Sequence, residues 1–242
     1  MDNIKSYLDE WVEKVNTPSF IEKDPVQFPR RYTLLQDIEI AAILTATIAW
    51  GNRQMILNSA EKMFKTIGQS PYDFIMSRGY EALEPTVNIH RTFFQGDLIY
   101  LCKALNCIYA FTDSLEGFFE ENVWQGIQLF KNSAFNINQS QTKHISDAAA
   151  GSACKRLHLA LRWLVRNDGI VDLGVWKNIS PESLFIPLDV HVSRTARTLG
   201  LLDRKSNDRI SVEMLTDKLR DYCPEDPIKY DFALFGIGVS NN

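Results

Sequence analysis

Apolar side chains recur at helical spacing along most of the chain. In residues 2–15 they fall every three or four positions, which places them on one face of an amphipathic helix, at Ile4, Leu8, Trp11, Val12 and Val15. No stretch shows the strict alternation, bounded by hairpin turns, that is typical of a sheet. Further helices are predicted over residues 37–50, 52–67, 98–111, 146–165, 189–199 and 211–222, with others beginning at Ser114 and at Asp226-Pro227.

The predicted helices end at residues that disfavour helical geometry. Gly51-Asn52 and Gly68 bound the helix over 52–67, and Gly200 stands where a helix C-terminus often has glycine. The polar segment 132–143 and the segment 168–188 predict two nonhelical connectors. We therefore predict an all-α fold of two helical lobes. One lobe is formed by approximately residues 35–135, and the other by 1–34 and 140–242.

The composition is that of a globular protein that folds without crosslinks. Hydrophobic residues make up 45% of the 242 residues and charged residues 23%, and a chain of this length buries enough surface to need neither disulfides nor a structural metal. The four cysteines form no CxxC pair, and the four histidines are not spaced as ligands on one helical face. We expect reduced thiols, no metal and no cofactor.

The sequence shows no membrane or export signal. The longest uncharged apolar stretch, Ile40–Trp50, is about half the length of a bilayer-spanning helix. Residues 1–6 lack the basic and apolar regions of a signal peptide. We expect a cytoplasmic protein with no membrane partner.

Charge is distributed unevenly along the chain. The 26 basic and 30 acidic residues give a net charge of −4 and a pI of about 5.6, which argues against a nonspecific binder of polyanions. Residues 151–210, however, carry 10 basic and 6 acidic groups, a local charge of +4. That segment is either a phosphate-facing surface or an ordinary solvated helix face, and charge alone does not decide between them.

The segment Pro187–Arg194 (PLDVHVSR) carries the most informative chemistry. Pro187 forces the residue before it out of helical geometry. Asp189 then stands at the N-cap of the next helix, where its carboxylate accepts from free N–H groups. Taken alone, this pattern predicts only a helix cap, which contributes about 1 kcal/mol.

This segment resembles the aspartate motif of the helix-hairpin-helix (HhH-GPD) DNA glycosylase superfamily. The pattern Pro-x-Asp-x-x-[VI]-x-Arg is matched by Pro187, Asp189, Val192 and Arg194, with the family's Leu-Gly following. The resemblance implies a two-lobed helical DNA-glycosylase-like fold with an interlobe cleft. It makes Asp189 the catalytic carboxylate.

The resemblance departs from the common pattern at the lysine. Lyase-competent members usually carry their amine in a glycine-rich hairpin ahead of the aspartate, and no such hairpin lies between Gly169 and Pro187. In the archaeal 8-oxoguanine DNA glycosylases the lysine lies further upstream on a helix, which Ser152–Trp163 (SACKRLHLALRW) resembles. This resemblance makes Lys155 the nucleophile. A bacterial branch with a modified hairpin shares it, and the segment Asp226–Phe235 also matches that branch.

The residues around Lys155 allow two interpretations. A lysine nucleophile must be neutral to attack, and the small residues of Ala148–Ala153 would let a substrate approach the helix closely. The alternative is that Lys155, Arg162 and Arg166 merely solvate one edge of an amphipathic helix.

The resemblance also implies contacts with DNA. In this superfamily a turn between helices, equivalent to residues 50–54 here, carries an amide that fills the gap left by a flipped base. The resemblance gives that role to Asn52 or Gln54. It also implies a phosphate contact for Arg53 and a place beside the base pocket for Trp50. The alternative is a helix break capped by Asn52. The other implied DNA-contacting residues are Arg156, His191, Arg194 and Arg197, and Trp163 is implied in the base pocket, although aromatics at helical spacing are usually core.

These observations predict a DNA repair glycosylase with AP-lyase activity. As a monomer it would excise a damaged base, such as oxidised guanine, from double-stranded DNA by flipping the nucleotide. Two alternatives stay open. One is a noncatalytic nucleic-acid or damaged-base binding module of the same fold. The other is a helical protein-interaction domain in which Lys155 and Asp189 are only an edge residue and a cap.

Overall fold

The computed structural model describes residues 2–240, which form two compact units. The central unit is Ile21–Ser146, and the terminal unit joins the chain up to Phe20 to the chain from Asp147 onward. Helices account for most of the described residues, which confirms the predicted all-α class. Within residues 2–240, no helix combines the length and apolar character needed to cross a membrane.

The elements follow one another with short connections. The α-helices are α1 (Asp2–Val15), α2 (Pro18–Glu22), α3 (Leu35–Thr47), α4 (Arg53–Ile67), α5 (Pro71–Met76), α6 (Gln95–Tyr109), α7 (Val123–Asn138), α8 (Lys155–Val165), α9 (Val190–Thr198), α10 (Arg209–Arg220) and α11 (Tyr230–Ser240). Strands β1 (Asn88–His90) and β2 (Phe93–Phe94) pair antiparallel between α5 and α6. Single 3-10 turns cover Pro25–Gln27, Pro29–Arg31, Gly79–Ala82, Glu116–Phe118, Pro181–Ser183 and Pro227–Lys229.

Helix α3 is buried along nearly its whole length inside the central unit. Ile40 and Leu44 have no exposed surface, as expected of a helix that is apolar on most sides. Glu39 is also fully buried, and its carboxylate accepts from the Tyr109 hydroxyl at 2.7 Å and from the Leu115 backbone N–H at 3.2 Å. These bonds give the buried carboxyl oxygens hydrogen-bond partners and tie α3 to the end of α6.

Helix α11 packs against α1 and α9 in the terminal unit. A Cβ on Gly236 would overlap the side chain of Val15, and one on Gly238 would lie 2.8 Å from the Thr195 hydroxyl. Glycine at these two positions therefore lets α11 lie close to both neighbours.

Several predicted helix boundaries are confirmed. Helix α1 covers Asp2–Val15, and Asn52 caps α4 by accepting from the Met55 N–H at 3.2 Å. Gly68 follows α4, and Gly200 follows α9 with φ +68°. Helices α3, α6 and α10 are offset by two or three residues from their predicted spans.

The helix predicted over 146–165 is wrong in its first half, because α8 begins only at Lys155. Gly151 has φ +78° and Cys154 has φ +45°, and both angles interrupt a right-handed helix. Ser152 forms a β-bridge with Asp208 instead. The run of alanines raised the apparent helix propensity, but pairing with another segment overrides it.

Two other predicted segments are also corrected. Helix α7 continues to Asn138, so the loop predicted over 132–143 begins later; the Asn138 amide donates to the Ala134 carbonyl at 3.0 Å, while Ala134 faces the core. The helix predicted from Ser114 is only the 3-10 turn Glu116–Phe118, because Asn122 caps α7 separately.

The expectation of no sheet is wrong for one short hairpin. Strand β2 has two residues, and the register shifts between Asn88 and His90. Arg91, between the strands, has φ +50°. Strands this short and irregular show no alternation that a sequence pattern could reveal.

Residues 21–34 belong to the central unit, although the sequence pattern grouped them with the other lobe. Their 3-10 turns pack on α3 and α4. Asp24 caps the first of these turns, and its carboxylate pairs with the Arg53 guanidinium at 3.1 Å.

Candidate active site

Lys155 is the first residue of α8, and an unusual backbone places it there. Cys154, the residue before it, is in the left-handed region with φ +45° and ψ +32°. The Ser152 hydroxyl accepts from the Cys154 N–H at 3.3 Å. The chain therefore turns sharply into α8, which places the Lys155 side chain at the N-terminus of the helix.

Asp189 caps α9 and faces Lys155 at the same time. One carboxylate oxygen, Oδ1, accepts from the Val192 N–H at 2.8 Å. The other, Oδ2, lies 3.5 Å from Nζ of Lys155. The approach to α9 is held by a hydrogen bond from the Ile186 N–H to the Thr216 hydroxyl at 3.1 Å.

The Lys155–Asp189 pair is within reach of solvent. The two side chains are 29% and 21% exposed. A pair at this depth can meet a ligand, whereas a fully buried pair could only stabilise the fold. The structure thus brings together the two side chains on which the sequence argument for chemistry depends.

Arg162 near the C-terminal end of α8 and Arg166 directly after the helix lie in the interior and not on a solvated edge. Arg162 and Arg166 are each 3% exposed. Arg162 donates to Asp172 at 3.2 Å and also pairs with Asp231 on α11. The alternative in which these arginines merely solvate one edge of α8 is therefore wrong for Arg162 and Arg166.

Arg166 extends the same buried network. Its guanidinium donates to Asp172 at 2.6 Å, to Asp168 at 2.8 Å and to both oxygens of Asp226 at 2.9 Å. Asp168 lies at the start of the predicted nonhelical connector 168–188, and its Oδ1 accepts from the Ile170 N–H at 2.8 Å. Lys155 is thus at the more exposed N-terminus of α8, whereas the C-terminal end of the helix leads into this buried network.

Burial changes the titration of groups near this network. It raises the pKa of Asp231 to about 6, against the attraction of Arg162 and with a further contribution from the negative charge of Asp189. Burial lowers the pKa of His158, one turn after Lys155, to about 3, and the positive charge of Arg209 adds to this. His158 is therefore neutral at pH 7.

The other sequence-predicted residues of the terminal unit differ in their surroundings. His191 and Arg194 lie one turn apart on α9 and are exposed. Arg156 is half-buried. Trp163 has no exposed surface, so a base could stack on it only if the surrounding core moved. Arg197 is half-buried and donates to backbone carbonyls of residues 204–206.

The remaining predicted residues lie together at one turn of the central unit. Asn52 caps α4, Arg53 pairs with Asp24, and the Gln54 amide donates to Asn58 at 3.0 Å. A cavity of about 440 Å³ adjoins this turn and is lined by Phe28, Arg53, Gln54, Leu57, Asn58 and Glu61, among others.

Trp50 is held at that turn by residues that the sequence analysis missed. The ring of Trp50 stacks with that of His144 at a centroid distance of 5.6 Å. Its carbonyl accepts from Nε2 of His90 at 2.8 Å, and Nδ1 of His90 lies 3.0 Å from the Ser59 hydroxyl. His90 lies in β1, which no pattern predicted.

Asp231 and Asp172 were also missed, although the sequence contains a signal for them. Three charged residues stand among apolar residues, at positions that face the protein core: Arg162, Arg166 and Asp231. Charged residues at such positions need partners of the opposite sign. Across residues 2–240, no group of three or more His, Cys, Asp or Glu side chains is arranged to hold a metal ion.

The terminal unit is thus a helical body with a partly exposed amine–carboxylate pair. Residues 24–240 match the model of the DUF2400 family, which is described as a protein of unknown function, and the chain belongs to that family. Comparison with curated proteins and with solved structures found no match for the chain.

Proposed function

We propose that the protein is a DNA repair glycosylase with AP-lyase activity. The observation that carries the proposal is the 3.5 Å separation of Lys155 Nζ and Asp189 Oδ2 at the start of α9. An amine and a carboxylate in this relationship are the two groups that the resemblance to the HhH-GPD glycosylases requires. The substrate is a damaged base in double-stranded DNA, with oxidised guanine as the first to test.

Asp189 would act on the sugar as the base departs. The C1′–N bond breaks, its electron pair leaves with the base, and the base takes up a proton. Positive charge then develops on the sugar ring, and an ionised carboxylate stabilises it. The capping bond from Val192 holds Asp189 in place during this step.

Lys155 would give up one proton, which the departing base takes up, and would then attack the sugar as a neutral amine. Its Nζ forms a bond to C1′, and loss of a proton with opening of the ring gives a Schiff base. Removal of a proton from C2′ then expels the 3′ phosphate by β-elimination, which cuts the strand. Hydrolysis of the Schiff base returns the free lysine.

Double-stranded DNA would reach these groups by flipping the damaged nucleotide out of the helix. His191 and Arg194 support this, because both are exposed on the first turns of α9, next to Asp189. Contacts of that kind to phosphates position a duplex without reading its sequence.

A noncatalytic binding module of the same fold is the second candidate. The observation that favours it is the hydrogen bond from Val192 to Asp189, which gives the carboxylate a structural role that needs no chemistry. In that case DNA containing a damaged base would bind and leave unchanged.

Incubation with a panel of lesion-containing duplexes tests the proposal. Free base and alkali-labile sites measure glycosylase activity, and strand cleavage without alkali measures lyase activity. We expect base release by the wild type and by Lys14→Gln, a matched loss of an exposed lysine on α1, and no lyase cleavage by Lys155→Gln. Salt-dependent binding without base release would favour the noncatalytic module, and neither binding nor release would favour a protein-interaction domain.

A further inference from the structure

The geometry points to Arg197 as a positioning residue that fixes the Lys155 amine beside the Asp189 carboxylate. This inference rests on the proposed function for its consequence in catalysis, but its structural part stands on contacts of the terminal unit. It also gives Arg197 a different role from the DNA contact that the resemblance implied.

Arg197 holds a loop by four acceptors. Its Nε donates to the carbonyl of Arg204 at 2.8 Å. Its Nη2 donates to the carbonyls of Lys205 and Ser206 at 2.9 and 3.2 Å, and to the side chain of Asn207 at 2.7 Å. These acceptors occupy the Nε and Nη2 edge of the guanidinium, so this edge cannot make a two-pronged contact with a phosphate while the loop is held.

The loop held by Arg197 continues directly into a contact with the residues before α8. Asp208 follows the loop, forms a β-bridge with Ser152 and accepts from Arg204, four residues earlier, at 2.9 Å. The N–H of Arg209 donates to the Gly151 carbonyl at 2.9 Å. Residues 151–152 are therefore held both by the loop and by their own N–H groups, which donate to the carbonyls of Ala148 and Asp147 at 3.2 and 3.1 Å.

Residues 151–152 in turn set the start of α8. The Ser152 hydroxyl accepts from the Cys154 N–H at 3.3 Å, and Cys154 holds the left-handed conformation from which Lys155 enters the helix. A left-handed conformation is costly for a residue other than glycine and persists only where its surroundings impose it. The contacts from the loop are part of those surroundings.

The contacts close into a ring that contains both reactive groups. Asp189 caps α9 at one end, and Arg197 lies near the other end of the same helix. From Arg197 the ring runs through the 204–208 loop and Ser152 to Lys155, which returns to Asp189 at 3.5 Å. The loop is also held by the Asn207 amide, which donates to the Ser193 hydroxyl at 3.1 Å, and by the Ser211 hydroxyl, which donates to the Ser206 carbonyl at 2.5 Å, in addition to the four bonds from Arg197.

Alkylation of Cys154 tests the structural part without any substrate. Cys154 is 1% exposed, and burial raises the pKa of its thiol to about 11, so it is protected in the wild type. In Arg197→Gln we expect its alkylation, measured by mass spectrometry, to become about tenfold faster or more, since local opening controls the reaction. Cys102, fully buried in the central unit, is the internal reference and should not change.

Arg220→Gln is the matched control variant. Arg220 lies on α10 in the same unit and also donates to backbone carbonyls, those of Glu182 and Leu184, both at 3.2 Å. It lies outside the ring, so Cys154 should stay protected. Arg197→Lys, which keeps the charge but cannot reach four acceptors, should show the same change as Arg197→Gln in a milder form.

Single-turnover trapping on a duplex with an abasic site tests the catalytic part. We expect Arg197→Gln to lower the rate at saturating DNA by about 10- to 100-fold, because misplacement of a reactive group by about 1 Å has an effect of that size. The DNA concentration at half-saturation and its salt dependence should be those of the wild type.

The outcomes separate this inference from the proposed function. An unchanged saturating rate with weaker, less salt-dependent binding would make Arg197 a phosphate contact and overturn the inference. If the wild type traps no DNA, the proposed function fails, and the alkylation rate of Cys154 is then the only test of the structural part. Slow alkylation of Cys154 in both Arg197 variants would then overturn it, and selective exposure of Cys154 would support it.

Discussion

Nζ of Lys155 lies 3.5 Å from Oδ2 of Asp189, although 34 positions separate the two residues in the sequence. Oδ1 of the same carboxylate accepts from the Val192 N–H. One oxygen therefore serves the helix and the other faces the amine. This division lets substitutions separate stability from chemistry.

Asp189→Asn should keep the fold and lose the activity. Asparagine caps a helix about as well as aspartate, and the partly exposed ion pair that the substitution removes contributes about 1 kcal/mol. The proposed stabilisation of a positive sugar needs the negative charge, so we expect base release to fall by about 100-fold or more. Thermal unfolding and base release on the same preparation measure both effects.

Asp189→Ala is the companion variant. It loses the cap as well as the charge, and we expect a further loss of about 1 kcal/mol in the free energy of unfolding. Activity of Asp189→Asn equal to that of the wild type would mean that the carboxylate is only a cap.

Arg162→Met should destabilise the terminal unit strongly. Arg162 pairs with Asp172 and Asp231, whose side chains are 0% and 8% exposed. Removing one partner of a buried pair leaves uncompensated charge and costs about 3–5 kcal/mol. Urea unfolding measures the loss. Lys14→Met, which removes an exposed pair with Glu10 on α1, should cost less than about 1 kcal/mol. Similar, small effects of the two substitutions would contradict the network's role.

The carboxyl of Asp231 should titrate near pH 6. Burial raises its pKa from 3.8 to about 6, so the folded state holds this proton more tightly than the unfolded state does. The contribution of this group to the free energy of unfolding therefore falls as the pH rises from 3.8 to about 6. A carboxyl carbon NMR titration, assigned by comparison with Asp231→Asn, should show the midpoint, and a midpoint below 4 would refute the burial effect.

Gly174→Ala should cost more than Gly169→Ala. Both glycines have positive φ, +55° and +70°, so alanine at either costs about 1–2 kcal/mol. A Cβ on Gly174 would also lie 2.7 Å from Cα of Asn167. A Cβ on Gly169 would have no atom within 4 Å. Overpacking against backbone adds about 1–3 kcal/mol. Urea unfolding measures both, and equal costs would mean that the loop carrying Asp172 adjusts freely.

The sequence predicts the helices well where a local signal marks their ends. Asn52, Gly68 and Asp189 are such signals, and each lies where it was expected. It fails over 146–154, because the bridge between Ser152 and Asp208 is a nonlocal contact that no helical pattern reveals.

The candidate site shows the same division. A motif could select Lys155 and Asp189, but not the 3.5 Å between them, which depends on how α8 and α9 pack. The contacts of Arg197 with the 204–207 loop could not be predicted either, because its acceptors are mostly backbone carbonyls, which every residue has. Exposed basic residues and structural ones look alike until their acceptors are known.

Borohydride trapping on a duplex with an abasic site tests the central claim most directly. Reduction of the Schiff base would fix the strand covalently to the protein, and peptide mapping would locate the attached residue. We predict a trapped adduct on Lys155 in the wild type and in Lys14→Gln, and none in Lys155→Gln. Undiminished trapping in Lys155→Gln, or an adduct mapped to another lysine, would contradict the assignment of the nucleophile.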